Sequence, residues 1–389
     1  MNNYLTPNVA SLPPSGIRKF FDLVATMKDV ISLGVGEPDF VTPWTVRESG
    51  IFSLEEGQTM YTSNAGLLEL REELSHHLNK TFNLSYDPHH EILITAGASE
   101  AVDLVMRAVL GPGDVALVPD PSYVSYAPCA ILAGASVTYV PTYAREDFRL
   151  RVEDLARVYT PNAKLLVLSY PNNPTGAIMN REDLLPIADF ANEHDLLVLA
   201  DDIYSDLTYD QKHVSFASLP GMRDRTLFVN GFSKSYAMTG WRIGYVAGHS
   251  GLIQGMTKIH QYTMLCAPIM GQFAAIEALR SASEAKNDMV TAYDRRRRLM
   301  VHGFRQMGLD CFEPLGAFYV FPDISKTGLS SEEFAEQLLR EEKVAVVPGT
   351  AFGPSGEGHI RCSYAYSMEQ LQEALKRIAH FVERRLTNL

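Results

Sequence analysis

From residue 92 onward, short apolar runs rich in Val, Leu, Ile and Tyr alternate with stretches of helical periodicity. The runs predict strands at 92–95 (ILIT), 115–118 (VALV), 136–140 (SVTYV), 164–169 (KLLVLS), 196–200 (LLVLA), 226–230 (TLFVN) and 243–247 (IGYVA). Helices are predicted between them at 99–110, 123–133, 151–157 and 181–193, with Val102, Val105, Ala108 and Val109 read onto one stripe of the first. Strands alternating with helices imply a mainly parallel sheet covered on both faces. The turn signal GPGD at 111–114 marks the boundary before the second strand.

After about residue 250 the pattern changes to long helical stretches. These are followed by a strand-like pair (DCFEP and GAFYVFP), a helix (SSEEFAEQLLREE), a short strand (VAVVP) and a last helix from Met368 towards Leu386. This reads as a smaller α+β domain. The first forty residues offer no strand to the large sheet and are grouped with it. The expected division is a large domain over 45–285 and a small domain made from 1–44 and 286–389, since 389 residues exceed what one core usually organises.

Composition narrows the partners. Acidic groups outnumber basic ones by 46 to 34, giving a net charge of −12, which argues against a nucleic-acid groove or an anionic membrane surface. The cysteines at 129, 266, 311 and 362 show no metal or disulfide spacing, so no metal is expected and a reducing cytoplasm is the natural compartment. No leader pattern opens the chain and no run of eighteen apolar residues occurs, so no membrane partner is expected. The run RRRR at 295–298 points around most of a helix circumference and is read as ion-paired or solvated rather than phosphate-binding.

In open α/β sheets the strand ends gather in one crevice where ligands bind. Chemically loaded segments follow five of the predicted strands: TAGASEA, PDPSYVSY, YPNNPTG, DDIY and GFSKSYAMTGWR. The segment GFSKSYAMTGWRIG, with PNNPTG, DDIY and the late IRCSYA in that order, resembles the class-I pyridoxal-phosphate aminotransferases, the aspartate aminotransferase family of fold type I. Agreement runs from SGIRKF at 15–20 through GVGEPDF at 34–40 to GEGHIRCSYA at 356–365, and is nearest to the prokaryotic aromatic and broad-range branch.

The resemblance implies a cofactor, pyridoxal 5′-phosphate, and a role for each matching residue. An aldehyde cofactor needs an amine for a Schiff base, and Lys234 supplies it; once displaced by substrate, the same amine can move a proton. A protonated pyridine nitrogen needs a buried carboxylate, matched by Asp201, whereas strand alternation turns Asp202 the other way. Tyr204 and Asn173 match the donors to the cofactor phenolate, Asn173 also reaching the substrate carboxylate. A phosphate suits a helix N-terminus and a fixed cation, supplied by Ala98, Ser99 and Arg242, with Ser233 as a candidate hydroxyl. Many family members carry serine where this chain has Gly231, so either Ser233 substitutes or that contact is missing. Tyr123 matches the aromatic that stacks on the ring, Arg361 the clamp on the substrate α-carboxylate, and Gly36 a backbone approach to the same group. Tyr61 matches a tyrosine that reaches the neighbouring subunit's phosphate, implying a homodimer with shared sites.

The expected activity is transfer of an amino group from an L-amino acid to a 2-oxo acid, 2-oxoglutarate first. Aromatic donors lead. Aspartate, alanine or N-acetyl-diaminopimelate are the alternatives within the branch, and Phe20 is a candidate for the wall that meets the substrate side chain. A carbon–sulfur lyase of the same fold would keep Lys234, Asp201 and Arg361, because the shared carbanion precedes the point where the reactions diverge. A regulatory protein on this scaffold and a nicotinamide oxidoreductase fit less well: the catalytic positions are filled, and no GxGxxG follows the early strands.

Overall fold

The computed structural model describes residues 4–13, 27 and 29–386. Phe20 lies outside the described residues. Twelve strands are numbered β1 (Ile31–Ser32), β2 (Ile92–Thr95), β3 (Val115–Asp120), β4 (Ser136–Pro141), β5 (Ala163–Leu168), β6 (Leu197–Asp201), β7 (Thr226–Gly231), β8 (Gly244–Ala247), β9 (Tyr319–Val320), β10 (Val344–Ala345), β11 (Val347–Pro348) and β12 (Ile360–Ser363). Seven of them form one sheet in the order β2-β8-β7-β6-β5-β3-β4. Strand β8 pairs antiparallel with both β2 and β7, and the other pairings are parallel. The mainly parallel seven-stranded α/β sheet expected from the sequence is therefore present.

The apolar runs are continuous because both faces of the sheet are covered. Leu165, Val167, Leu199 and Val229 pack in one cluster with helices Ala98–Val109 and Tyr126–Leu132. The alternate residues Leu166, Leu168, Val198 and Ala200 pack in another with helix Arg181–Glu193. Side chains that alternate with a period of two thus serve two cores.

The antiparallel placement of β8 decides where the lysine segment goes. Parallel neighbours need a long crossover, whereas antiparallel neighbours can be joined directly. Residues 232–243 simply turn from the end of β7 into β8, and Gly231 pairs with Gly244 where the turn closes. Lys234 and Arg242 both lie on this connection.

The remaining sheets are small. β1 pairs in parallel with β10, so the segment at 31–32 joins a strand more than three hundred residues later. β11, β12 and β9 form an antiparallel trio. Helices Ser283–Gln306, Ser331–Glu342 and Met368–Leu386 cover this part, the second opened by a capping box between Ser330 and Glu333.

Several expectations change. Ala108 is exposed, because six residues at roughly 100° each carry it well off the Val102 face. DCFEP forms no strand; Leu315 and Gly316 bond instead to Gly176 O in the PNNPTG turn. The helix expected at 123–133 spans only Tyr126–Leu132, which leaves Tyr123 on the preceding loop. Helices Trp44–Glu55 and Leu68–Phe82 are additional to the predicted set. Three of the four arginines in the run are ion-paired: Arg296 meets Asp39 at 2.7 Å, buried Arg297 meets Asp294 and Glu313, and Arg298 meets Asp294. No described helix is long and apolar enough to cross a membrane.

Candidate active site

One cavity of about 400 Å³ opens at the strand ends, within the size range of small-molecule sites. Gly36, Ala98, Ser99, Tyr123, Asn173, Asp201, Tyr204, Ser233, Lys234, Arg242 and Arg361 all line it. Eleven of the thirteen site candidates read from the sequence are thereby brought together, Phe20 lying outside the described residues. The twelfth, Tyr61, lies outside the cavity and is 81% exposed.

Lys234 Nζ donates to Gly36 O at 2.6 Å and lies within 6 Å of the Tyr204 and Phe318 rings. Burial lowers its pKa to about 8, assisted by the charges of Arg361 and Arg242 and opposed by Glu37 and Asp201. Asp201 ends β6 on the face that carries Leu199, and its Oδ2 accepts from Tyr126 OH at 2.7 Å while Oδ1 accepts from Ile203 N at 3.1 Å. Burial pushes its carboxyl up to about 6 in spite of those two bonds. Asp202 points away and meets His213 Nε2 at 2.9 Å, as strand alternation requires.

Arg361 is buried on β12. Its guanidinium donates to Asn173 Oδ1 at 2.8 Å and to Gly34 O, and its carbon lies 4.4 Å from the Tyr319 ring centre and 4.7 Å from that of Phe352. The buried Nε has no partner. Asn173 is presented by a tight turn in which Asn172 Oδ1 accepts from both the amide and the hydroxyl of Thr175. Tyr204 OH meets Tyr319 OH at 2.8 Å.

The N-terminus of helix Ala98–Val109 packs on the start of β8 so closely that a Cβ on Gly244 would lie 2.3 Å from Ala98 N. At Gly97, with φ +83, a Cβ would lie 2.3 Å from an Arg242 guanidinium nitrogen. Bare backbone at both positions leaves free amides beside a fixed cation, an arrangement suited to an anion. Gly231 cannot carry the serine common at its position without displacing neighbours, since a Cβ there would be 3.0 Å from Gly244 Cα and from Ile243 O. Ser233 and Thr239 are then the hydroxyls on this stretch that line the cavity, and Thr239 is engaged with Glu37.

Tyr126, Ser169, Tyr319, Glu37 and Thr239 also line the cavity and were not singled out in the sequence. Glu37 accepts from Thr239 Oγ1, and Thr42 Oγ1 donates to Ala237 O at 2.6 Å, so residues 36–42 strap the loop that carries Lys234. The recurrence of tyrosine three residues after Tyr123 was the available signal for Tyr126.

An α/β sheet with a part-buried lysine on the β7–β8 connection, a paired acid on β6 and a buried arginine facing the same cavity defines the fold and site of the fold type I transferases. The sequence matches the profile of aminotransferase class I and II over residues 28–378. The chain belongs to that family and is an aminotransferase. It is 48% identical to an aspartate aminotransferase of Pyrococcus abyssi, covering 96% of this chain and 97% of the relative. It is 44% identical to aromatic-amino-acid aminotransferase 2 of Thermococcus litoralis, covering 96% and 97%. The solved aromatic aminotransferase from Pyrococcus horikoshii superposes with a TM-score of 0.91 at 45% identity, covering 94% of this chain and 99% of that one.

Proposed function

We propose that this aminotransferase uses pyridoxal 5′-phosphate to move the amino group of an aromatic L-amino acid to 2-oxoglutarate. The observation that carries the reading is the convergence of Lys234, Asp201, Arg242 and Arg361 on one cavity. The residues fit the cofactor: free amides of Ala98 and Ser99 beside Arg242, with Ser233, would hold the phosphate, Tyr123 would stack on the ring, and Asp201 would face its nitrogen. When bound, the cofactor supplies an electrophilic aldehyde and a ring that draws electron density. Tyr204 and Asn173 would donate to its phenolate oxygen.

The protein's own groups do the rest. Arg361, oriented by Asn173 and Gly34 O, offers its fork to the α-carboxylate, with Gly36 beside it. Lys234 Nζ, partly neutral at physiological pH because it is buried, takes the proton from the substrate Cα and returns it. The wall residues Tyr123 and Tyr319 exclude water from that transfer.

Aromatic donors are favoured because Arg242, Arg361 and Lys234 are the only arginine and lysine residues among the described lining groups, leaving no spare cation for a second carboxylate. The similarity to an aspartate aminotransferase keeps aspartate as the second reading. In a panel of L-amino acids with 2-oxoglutarate, tyrosine or phenylalanine is expected to exceed aspartate in kcat/KM by about tenfold or more. Equal or reversed values overturn the aromatic preference, and release of pyruvate without any acceptor points to the lyase.

The same reading includes a two-domain division at 45–285 against 1–44 with 286–389, supported by the pairing of β1 with β10. It also includes a homodimer, supported by the exposure of Tyr61 together with Trp44, Phe52, Met60 and Tyr262. The solution mass is expected to be twice that of the chain; a monomer with full activity would refute the shared site.

A further inference from the structure

Asp120 is the last residue of β3, three positions before Tyr123, and is 2% exposed. Its Oδ2 accepts from the backbone N–H of Ser355 at 2.8 Å. Its Oδ1 is buried without a hydrogen-bond partner and lies where a Cβ on Gly353 would come within 1.8 Å. With φ +129 at Gly353, glycine alone lets the turn close on the carboxylate. A second bond crosses at the same place, Ser122 N to Phe352 O at 3.0 Å. The segment that Asp120 grips joins β11 to β12, and β12 carries Arg361, paired in register with Val347. Phe352, inside that segment, supplies one of the two rings against the Arg361 guanidinium.

A buried carboxylate bonded by Ser355 alone, with its other oxygen unpartnered, is a poor stabilising device, because its desolvation is only partly compensated. It does define geometry. We propose that Asp120 is a positioning residue: from the end of β3 it holds the 352–356 turn, and through Phe352 that turn fixes the angle at which Arg361 meets the substrate carboxylate. This rests on the reading of Arg361 as the carboxylate clamp. One residue thereby ties the loop bearing Tyr123 to the strand bearing Arg361, so that ring and clamp keep a constant relation. Misplacing a positioning group by about 1 Å can cost on the order of 100-fold in rate.

The proposal makes the effect of Asp120 specific to substrates that own a carboxylate. Single-turnover rates of the holoenzyme with L-tyrosine and with tyramine, which lacks the carboxylate, separate this from general damage. In Asp120→Ala the tyrosine-to-tyramine rate ratio is expected to fall about tenfold or more, with pyridoxal phosphate affinity within about twofold of wild type. Asp120→Asn keeps an acceptor for Ser355 N–H and is expected to restore the ratio to within about threefold. If Asp120→Ala does not fold, Gly353→Ala approaches the contact from the other side and is expected to lower the same ratio. Equal losses with both substrates, an unchanged ratio, or Asp120→Asn as impaired as Asp120→Ala each overturn the proposal. A wild-type enzyme inactive on L-tyrosine counts against the donor assignment instead, and the same test then uses the L-amino acid leading the panel and its decarboxylated amine.

Discussion

Lys234→Ala is expected to lose transamination by about 10⁴-fold or more while still binding pyridoxal phosphate. On the proposed reading the loss is large because one amine has two tasks, attachment and proton transfer, and no other lysine lines the cavity among the described residues. Burial prepares it for both. With a pKa near 8 rather than 10.5, the neutral amine at pH 7.5 is on the order of 100-fold more abundant than for an exposed lysine. Non-covalent binding is expected to survive because Ala98, Ser99 and Arg242, proposed to hold the phosphate, lie on other parts of the cavity and are untouched by the substitution. Two measurements check this. Borohydride should fix the cofactor to wild type and leave it dialysable from the variant, and single-turnover conversion of an amino acid should become nearly immeasurable. Turnover within about tenfold of wild type would remove Lys234 from the mechanism.

Much of this site was legible in the chain because the chemistry sits on strand ends that the apolar runs mark out. The strands β5, β6 and β7 are buried on both faces, so they read as unbroken apolar stretches, and the polar segments after them stand out. Lys234 and Arg242 could be paired by spacing because a direct β7–β8 connection carries both. What stayed hidden depends on distant contacts. Tyr126 looks like any core tyrosine on a short helix until Asp201, 75 residues later, is placed 2.7 Å from its hydroxyl. Tyr319 reads as strand filler in GAFYVFP, yet it meets both Tyr204 and Arg361. The close approach of Gly231 to Gly244 is likewise visible only in space. Tyr61 matched a motif but does not line this cavity, and its proposed role rests on a second chain.

Asp201→Asn is the other substitution with a large expected effect, a fall in kcat of about 1000-fold, or roughly 4 kcal/mol, with KM moving far less. Asparagine preserves shape and an acceptor for Ile203 N–H, while its amide NH2 replaces the oxygen that accepts from Tyr126 OH, so the change removes the charge and reverses one hydrogen bond. With pyridoxal phosphate bound as proposed, Asp201 would face the ring nitrogen and keep it protonated, and that charge would matter most in the transition state. The sign of the pH effect follows. Burial has raised the Asp201 carboxyl to about 6 in the cofactor-free protein, so its ionised form is present above pH 6 and is lost as the pH falls below it. Pyridoxal phosphate affinity is expected to weaken in wild type below that point more steeply than in Asp201→Asn, the comparison cancelling titration of the phosphate itself. Asp202→Asn is the control, since that acid faces His213 on the other side of the chain and should leave kcat within about threefold. A pure KM effect in Asp201→Asn, or equal losses in the two neighbours, would show that the acid at the end of β6 is structural. If kcat alone collapses, and only for Asp201, then the alternation of a single strand has decided which of two adjacent aspartates does the chemistry.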